Sequence, residues 1–291
     1  VNKNEFWVTS KFRKKEGSDE LIVVFSPSKK MTFYRTDFPA SVLFLADQRG
    51  TYYTHGAERV TTIIKRLAYR TGARRVLLMG PSKGGFASLM FARQLSYLDD
   101  TREYSALAFS PQTAIYPQNL SIPFPSYEQL LKRARRDDSL MQSLKAFGDA
   151  SDLGKVRAAI IFGAGNRDDS LEAQRVSGNR VTFIALPISG HSSSLPFLCD
   201  TTKKDEVVEV VRKLSDAAKD QKDLALRQRS EDMIAELMAI PKMPTLSEVC
   251  RLVLDGKERD LRSALVSREP SFSAGVLENF IMKLSRRFQA R

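Results

Sequence analysis

With 291 residues, 42% of them hydrophobic and 27% charged, the chain can bury a large core and is neither low-complexity nor fibrous in composition. Its formal net charge of +12 sits mainly in residues 1–202, with 28 Lys/Arg against 19 Asp/Glu, while residues 203–291 carry 18 against 15. The excess favours anionic partners but is too dispersed for a nucleic-acid surface, so no nucleic-acid partner is expected.

The first residues, Val1-Asn2-Lys3-Asn4-Glu5, lack a signal-peptide pattern and an initiator Met, which suggests a piece of a longer protein. Residues 6–12 alternate weakly, as an edge strand does. Leu21-Ile22-Val23-Val24-Phe25 is an unbroken apolar run of the kind that fills a strand buried on both faces, and residues 41–46 are another. Residues 59–69 then place Val60, Ile63, Ile64, Leu67 and Ala68 on one face of a helix stopped by Gly72. Val76-Leu77-Leu78-Met79 is the next strand. It turns through Gly80-Pro81-Ser82-Lys83-Gly84-Gly85 into a helix reaching about residue 97.

Residues 105–109 form a further strand, followed by an interruption over 113–150. Pro117, Pro123 and Pro125 keep its first part irregular, and residues 127–147 read as one basic amphipathic helix. Strands resume at 158–162 and 181–186, with a helix over 171–176 between them. Val207, Val208, Val211 and Leu214 mark a closing helix. Beyond Asp220 only helices are expected, with apolar faces at Met233, Ile234 and Leu237, at Leu246, Val249, Cys250 and Val253, and at Leu277, Phe280, Ile281 and Leu284. Pro241-Lys242-Met243-Pro244 and Glu269-Pro270 separate them.

Alternating strands and helices imply an α/β fold with a mostly parallel sheet covered on both faces, over residues 1–220, and a small helical appendage over 221–291. Ligands on such sheets bind at the carboxyl ends of the strands. The polar clusters Ser26-Pro27-Ser28, Asp47-Gln48-Arg49-Gly50, Ser82, Ser110-Pro111-Gln112, Asp168-Asp169 and His191 all follow strands, and so belong to one edge.

Gly80-x-Ser82-x-Gly84 between strand and helix is a nucleophile-elbow pattern. The turn exposes the hydroxyl in a strained backbone, so the residues two before and two after it must lack bulk. A phosphate-cradling turn is the competing reading, but GPSKGG has neither the GK[ST] ending of a P-loop nor GxGxxG. A serine nucleophile needs a base, itself oriented by a third group. Of the two histidines, His191 follows the last strand in a small-residue loop and is the candidate base. The alternative is a loop histidine that caps the following segment. The acid should follow the strand before it. Asp169 is the first choice and Asp168 its competitor, one of the pair serving only as a helix cap. The oxyanion needs two donors: the N–H of Lys83, and a second from Ser26 or Ser28, since Pro27 has no N–H. The Lys83 side chain could hold an anionic group or point to solvent.

These residues resemble the α/β-hydrolase family over roughly residues 6–220. Gly80-Pro81-Ser82-Lys83-Gly84-Gly85 matches its elbow, Asp47-Gln48-Arg49-Gly50 its D-x-R-G loop, and the order Ser82, Asp169, His191 its triad. The N-terminal strands are abbreviated, and Lys follows the nucleophile where the family more often has an uncharged residue. The segments GPSKGGFASL and AFSPQT are also similar to hydrolase-like domains associated with bacterial cell-surface polysaccharide synthesis. The resemblance implies a serine esterase acting through an acyl-enzyme, on a small-molecule or glycan ester such as a carbohydrate-linked acyl group. The rivals are an O-acyltransferase using the same triad and a catalytically silent binding or assembly module. The latter would engage a protein partner, or itself, through the C-terminal helices.

Lesser signals are His55 and Tyr52 in the loop 50–56 and Gln112, as substrate contacts. Lys132-Arg133-Ala134-Arg135-Arg136, inside a lid-like insertion, reads better as a solvated helix face than as an anion site. Gly163-Ala164-Gly165 reads as a turn. Cys199 and Cys250 show no metal-ligand spacing, so no metal or cofactor is expected, and reduced thiols suit a cytoplasmic setting. No apolar run approaches the roughly 18 residues of a membrane span.

Overall fold

Alternating side chains along each buried strand must be covered on both faces, and the fold is organised by that requirement. The computed structural model describes residues 7–217 and 224–266. Its sheet contains β1 (Val8–Arg13), β2 (Glu20–Ser26), β3 (Ser41–Asp47), β4 (Arg75–Pro81), β5 (Glu103–Phe109), β6 (Arg157–Gly163) and β7 (Val181–Leu186). The strand order is β1-β3-β2-β4-β5-β6-β7. Only β1 is antiparallel, pairing Val8 with Asp47 and Arg13 with Val42 at the edge. The expected mostly parallel α/β sheet, with its short N-terminal part, is therefore present, and β4 lies at its centre.

On one face, Val23, Phe25, Leu78, Ala106 and Ile160 meet α1 (Ala57–Thr71) and α2 (Lys83–Leu98). The segment between β5 and β6 closes over this face with α3 (Pro125–Ala134) and α4 (Asp138–Phe147). The single helix expected over 127–147 is thus two. Asp137 breaks it by turning extended and accepting the Leu140 N–H at 3.0 Å as the cap of α4. Helix α5 (Arg167–Arg175) joins β6 to β7. Buried Glu172 ties it to the insertion, accepting from the Thr113 N–H at 2.7 Å and the Asn119 amide at 2.7 Å.

The other face presents Ile22, Val24, Leu77, Met79, Leu107 and Ile161. It is covered by α6 (Lys204–Ala217), α7 (Leu224–Ala239), α8 (Leu246–Leu254) and α9 (Glu258–Val266). Helix α6 buries Val207 and Val211 and leaves Val208 and Leu214 exposed. The C-terminal helices pack directly on the sheet: Leu246, Val249, Cys250 and Val253 are all within this core, and Leu237 and Leu261 join them. Each such side chain contributes about 1.5–3 kcal/mol by burial. At the amino ends of the strands, buried Glu20 pairs with Arg75 at 2.5 Å and with Arg251 of α8 at 2.8 Å, and Arg157 pairs with Glu258 at 3.0 Å. The apolar face expected at Leu277, Phe280, Ile281 and Leu284, the break at Glu269-Pro270 and residue Phe6 lie outside the described residues. Both cysteines are free thiols. No helix among the described residues is long and apolar enough to cross a membrane.

Candidate active site

The carboxyl end of β4 turns into α2 within one residue, and that residue is Ser82, with φ 53° and ψ −118°. A positive φ in a non-glycine residue is strained by about 1–3 kcal/mol and persists only where the surroundings impose it. Here the Ser82 N–H donates to the Phe109 carbonyl at 2.8 Å, and its own carbonyl receives the Phe86 N–H at 3.0 Å. The end of β2 presses on the same turn. A Cβ on Gly80 would stand 2.5 Å from the Phe25 carbonyl oxygen, and one on Gly84 would stand 2.0 Å from it. The GxSxG spacing is therefore a packing requirement set by Phe25. The Lys83 N–H lies in the first turn of α2, ahead of that helix's first internal hydrogen bond, where donors have no helical partner.

His191 reaches this turn from the loop after β7. Its Nε2 is 2.9 Å from Ser82 Oγ, and its Nδ1 is 2.6 Å from Asp169 Oδ1. Asp169 is 4% exposed, on the buried side of α5, whereas Asp168 is partly exposed and makes no hydrogen bond among the described residues. Neither aspartate caps α5. That role belongs to Asn166, whose side chain accepts the Asp169 N–H at 3.1 Å.

Gln112 is 2% exposed and sits against both partners, its Nε2 3.2 Å from Ser82 Oγ and 3.4 Å from His191 Nε2. The loops carrying Gln112 and His191 are fastened to β6. Ser110 donates its hydroxyl to Ser193 Oγ at 2.9 Å, and Ser193 donates to the Ile161 carbonyl at 3.0 Å. Two contacts had no signal in the sequence. The Phe124 ring, at the start of α3, lies 4.8 Å from the His191 ring. From α7, Glu236 accepts the Ser189 N–H at 3.1 Å and the Ser189 hydroxyl, bracing the His191 loop from the C-terminal region.

The other sequence candidates are placed differently. The Ser26 hydroxyl accepts the Thr32 N–H at 2.9 Å, and the exposed Ser28 hydroxyl is engaged with Lys30. Tyr52 is not a surface contact. It is fully buried, edge-on to Phe86 and Tyr127, and burial pushes its phenol pKa up. The cause is Asp47, whose buried carboxylate gathers the N–H groups of Arg49, Gly50, Thr51 and Tyr53 and folds the loop inward. Lys83 stands over the Tyr52 ring at 5.3 Å, and burial lowers its ammonium pKa, with Asp47 acting against the shift. His55 lies away on the rim of a pocket with Arg49, Arg133 and Arg136. No group of three or more metal-ligating side chains occurs among the described residues.

A central parallel strand entering a helix through a strained serine, with an acid and a histidine after the next strands in order, defines the architecture. The chain has an α/β-hydrolase fold. No protein-family model matches the sequence, and a search of curated proteins finds no significant match. Among solved structures the chain is similar to the glycosylation-associated protein (Gap123) complex of Streptococcus agalactiae, with 14% identity, TM-score 0.45, and coverage of 63% of this chain and 40% of that one. It spans less than half of that streptococcal chain. It is also similar to a hydrolase from Pseudomonas aeruginosa, with 15% identity, TM-score 0.41, and coverage of 64% and 88%. A Staphylococcus aureus protein of unknown function matches with 11% identity, TM-score 0.43, and coverage of 89% and 97%. At such identities the likeness concerns the fold alone.

Proposed function

We propose that the protein is a serine hydrolase that cleaves an ester through Ser82, His191 and Asp169. One observation carries this reading: the continuous hydrogen-bonded line from Ser82 Oγ to His191 Nε2 at 2.9 Å and from His191 Nδ1 to Asp169 Oδ1 at 2.6 Å, ending on a strained elbow. In the first half-reaction His191 takes the Ser82 proton as Oγ bonds to the ester carbonyl carbon. The alkoxide leaves with the proton returned by His191, and an acyl-enzyme remains. Water then repeats the sequence, releasing the acid and restoring Ser82. Asp169 holds the imidazole with Nδ1 protonated, so that Nε2 accepts from the hydroxyl. We assign the oxyanion to the Lys83 N–H and to a second backbone N–H, either Ser26 at the end of β2 or Ser28 in the loop after it, because that strand end abuts the elbow.

We place this chemistry in residues 1–220 and give the helices after 221 a supporting part, on the strength of the Glu236 brace. An O-acyl group on a carbohydrate is the substrate we favour, on the resemblance of GPSKGGFASL and AFSPQT. The free thiols of Cys199 and Cys250 fit a reducing, cytoplasmic setting. The test is labelling by a fluorophosphonate probe. The unmutated protein should be labelled, and Ser82→Ala and His191→Ala should not. A folded, unmutated protein that takes up no label would overturn the reading.

A further inference from the structure

The loop that Asp47 gathers does more than seal the core. With the end of α3 and the start of α4 it borders an open pocket of about 300 Å3 lined by Arg49, Thr51, His55, Arg133, Arg136, Asp137 and Leu140. We propose that this pocket holds a phosphate group carried by the substrate, gripped by Arg49, Arg133 and Arg136; the assignment to a substrate rests on the serine-ester reading above.

Three arginines and one aspartate line the pocket, a local excess of two positive charges that suits a phosphate dianion better than a carboxylate. The carboxylate, Asp137, is already engaged as the cap of α4, accepting the Leu140 N–H at 3.0 Å. Two of the guanidiniums are held in place without being consumed. Arg133 donates to the Arg49 carbonyl at 2.7 Å and the Gly50 carbonyl at 3.1 Å, which fixes its plane and leaves its other N–H groups available. Arg49 stacks its guanidinium on the Trp7 ring, leaving the edge of the fork free. Arg136 is exposed and its side chain has no partner among the described residues. The volume lies at the lower end of small-molecule sites, about 300–1,000 Å3, enough for a phosphate and a sugar-sized group bearing it.

The loop that lines the pocket also packs beside the elbow. Tyr52, between the pocket residues Thr51 and His55, lies under the Lys83 ammonium at 5.3 Å, and Lys83 follows Ser82 directly. Arg133 is close enough to Lys83 to help lower its pKa, after the larger effect of burial. One loop thus carries both the basic pocket and the buried tyrosine that packs under Lys83, the neighbour of the nucleophile.

The test has a binding arm and a turnover arm. By calorimetry at low salt, glucose 6-phosphate should bind the full chain while glucose and glucuronate bind far more weakly. Arg136→Gln should weaken glucose 6-phosphate binding about fivefold, as expected for one exposed charge-assisted contact. Since Arg136 is exposed and unpaired, that variant should keep the parent melting temperature; Arg49→Gln provides a second, independent loss. Equal binding of the three probes, or binding unmoved by both variants, would overturn the pocket. In the turnover arm, acetylated glucose 6-phosphate should show a higher kcat/KM than acetylated glucose, a preference that Arg136→Gln reduces. Phosphate binding that responds to the variants, without turnover of either ester, would support the pocket and count against the serine-ester reading.

Discussion

Replacing Asp169 by Asn tests the acid while leaving the shape of the site intact. The carboxylate is buried and 2.6 Å from His191 Nδ1, so it acts on the imidazolium that forms as Ser82 is deprotonated. The amide has two ways to fit. If its NH2 faces Nδ1, the imidazole must carry its proton on Nε2 and can no longer accept from Ser82 at 2.9 Å; a wrong tautomer of this kind lowers kcat about 10⁴-fold. If the amide oxygen faces Nδ1 the tautomer survives, but the charge is gone. Unit charges about 4 Å apart at an effective dielectric near 20 interact by about 4 kcal/mol, or roughly 10³-fold in rate at 1.36 kcal/mol per decade. Either way Asp169→Asn should reduce p-nitrophenyl acetate hydrolysis by about 10³–10⁴-fold. Asp168→Asn should stay within about twofold, as surface changes that touch no partner do. An Asp169→Asn enzyme keeping more than a tenth of the parent rate, or an equal loss in Asp168→Asn, would refute the assignment.

Gly84→Ala should unfold the protein more readily, since its Cβ would lie 2.0 Å from the Phe25 carbonyl oxygen, well inside ordinary contact. Overpacking against backbone should cost about 3 kcal/mol, which for a chain of this size is a fall in Tm of about 6–12 °C; Gly190→Ala, with nothing nearer than 3.9 Å, is the control and should not move. Glu236→Ala should lower kcat about tenfold with KM unchanged, by freeing the Ser189–His191 loop. Glu236→Gln, which keeps an acceptor, should restore most of the loss, and a variant pair with identical kinetics would argue that the contact is only structural. Lys83→Met should raise Tm at pH 7, because burial lowers the Lys83 pKa and its ammonium therefore opposes folding. The unfolded chain keeps that proton to higher pH than the folded one, so wild-type stability rises as pH passes through the lowered pKa toward the ordinary lysine value of about 10.4. The gap between variant and parent should then narrow in alkaline buffer; a lower Tm for the variant at pH 7 would show that the Lys83 contacts outweigh its burial.

The chain makes legible whatever one local pattern or one steric rule controls. The apolar runs at 21–25, 76–79 and 105–109 needed only the continuous hydrophobicity of a strand buried on both faces, and Gly80 and Gly84 only the space a tight turn demands. Choosing between Asp168 and Asp169 needed the rotational phase of α5. Consecutive helical residues point about 100° apart, and the phase is set by Asn166 as the cap. The burial of Tyr52 has no local signal, because a tyrosine between polar loop residues has the pattern of a substrate contact and only the Asp47 carboxylate folds the loop inward.

The docking of the C-terminal helices is a harder case with a simple geometric cause. Their apolar faces at Met233–Ile234–Leu237 and at Leu246–Val249–Cys250–Val253 are plain in the sequence, but an amphipathic helix does not say what it covers. The sheet does. Seven strands at about 4.8 Å spacing are roughly 30 Å across, whereas a helix is only about 10 Å wide. Helix α6 alone would leave Ile22, Val24, Leu77 and Met79 largely bare, so α7, α8 and α9 are needed to close that face. Once they are there, Glu236 stands beside the His191 loop, and a region with no chemistry of its own becomes a support for the residue on which the proposed reaction turns.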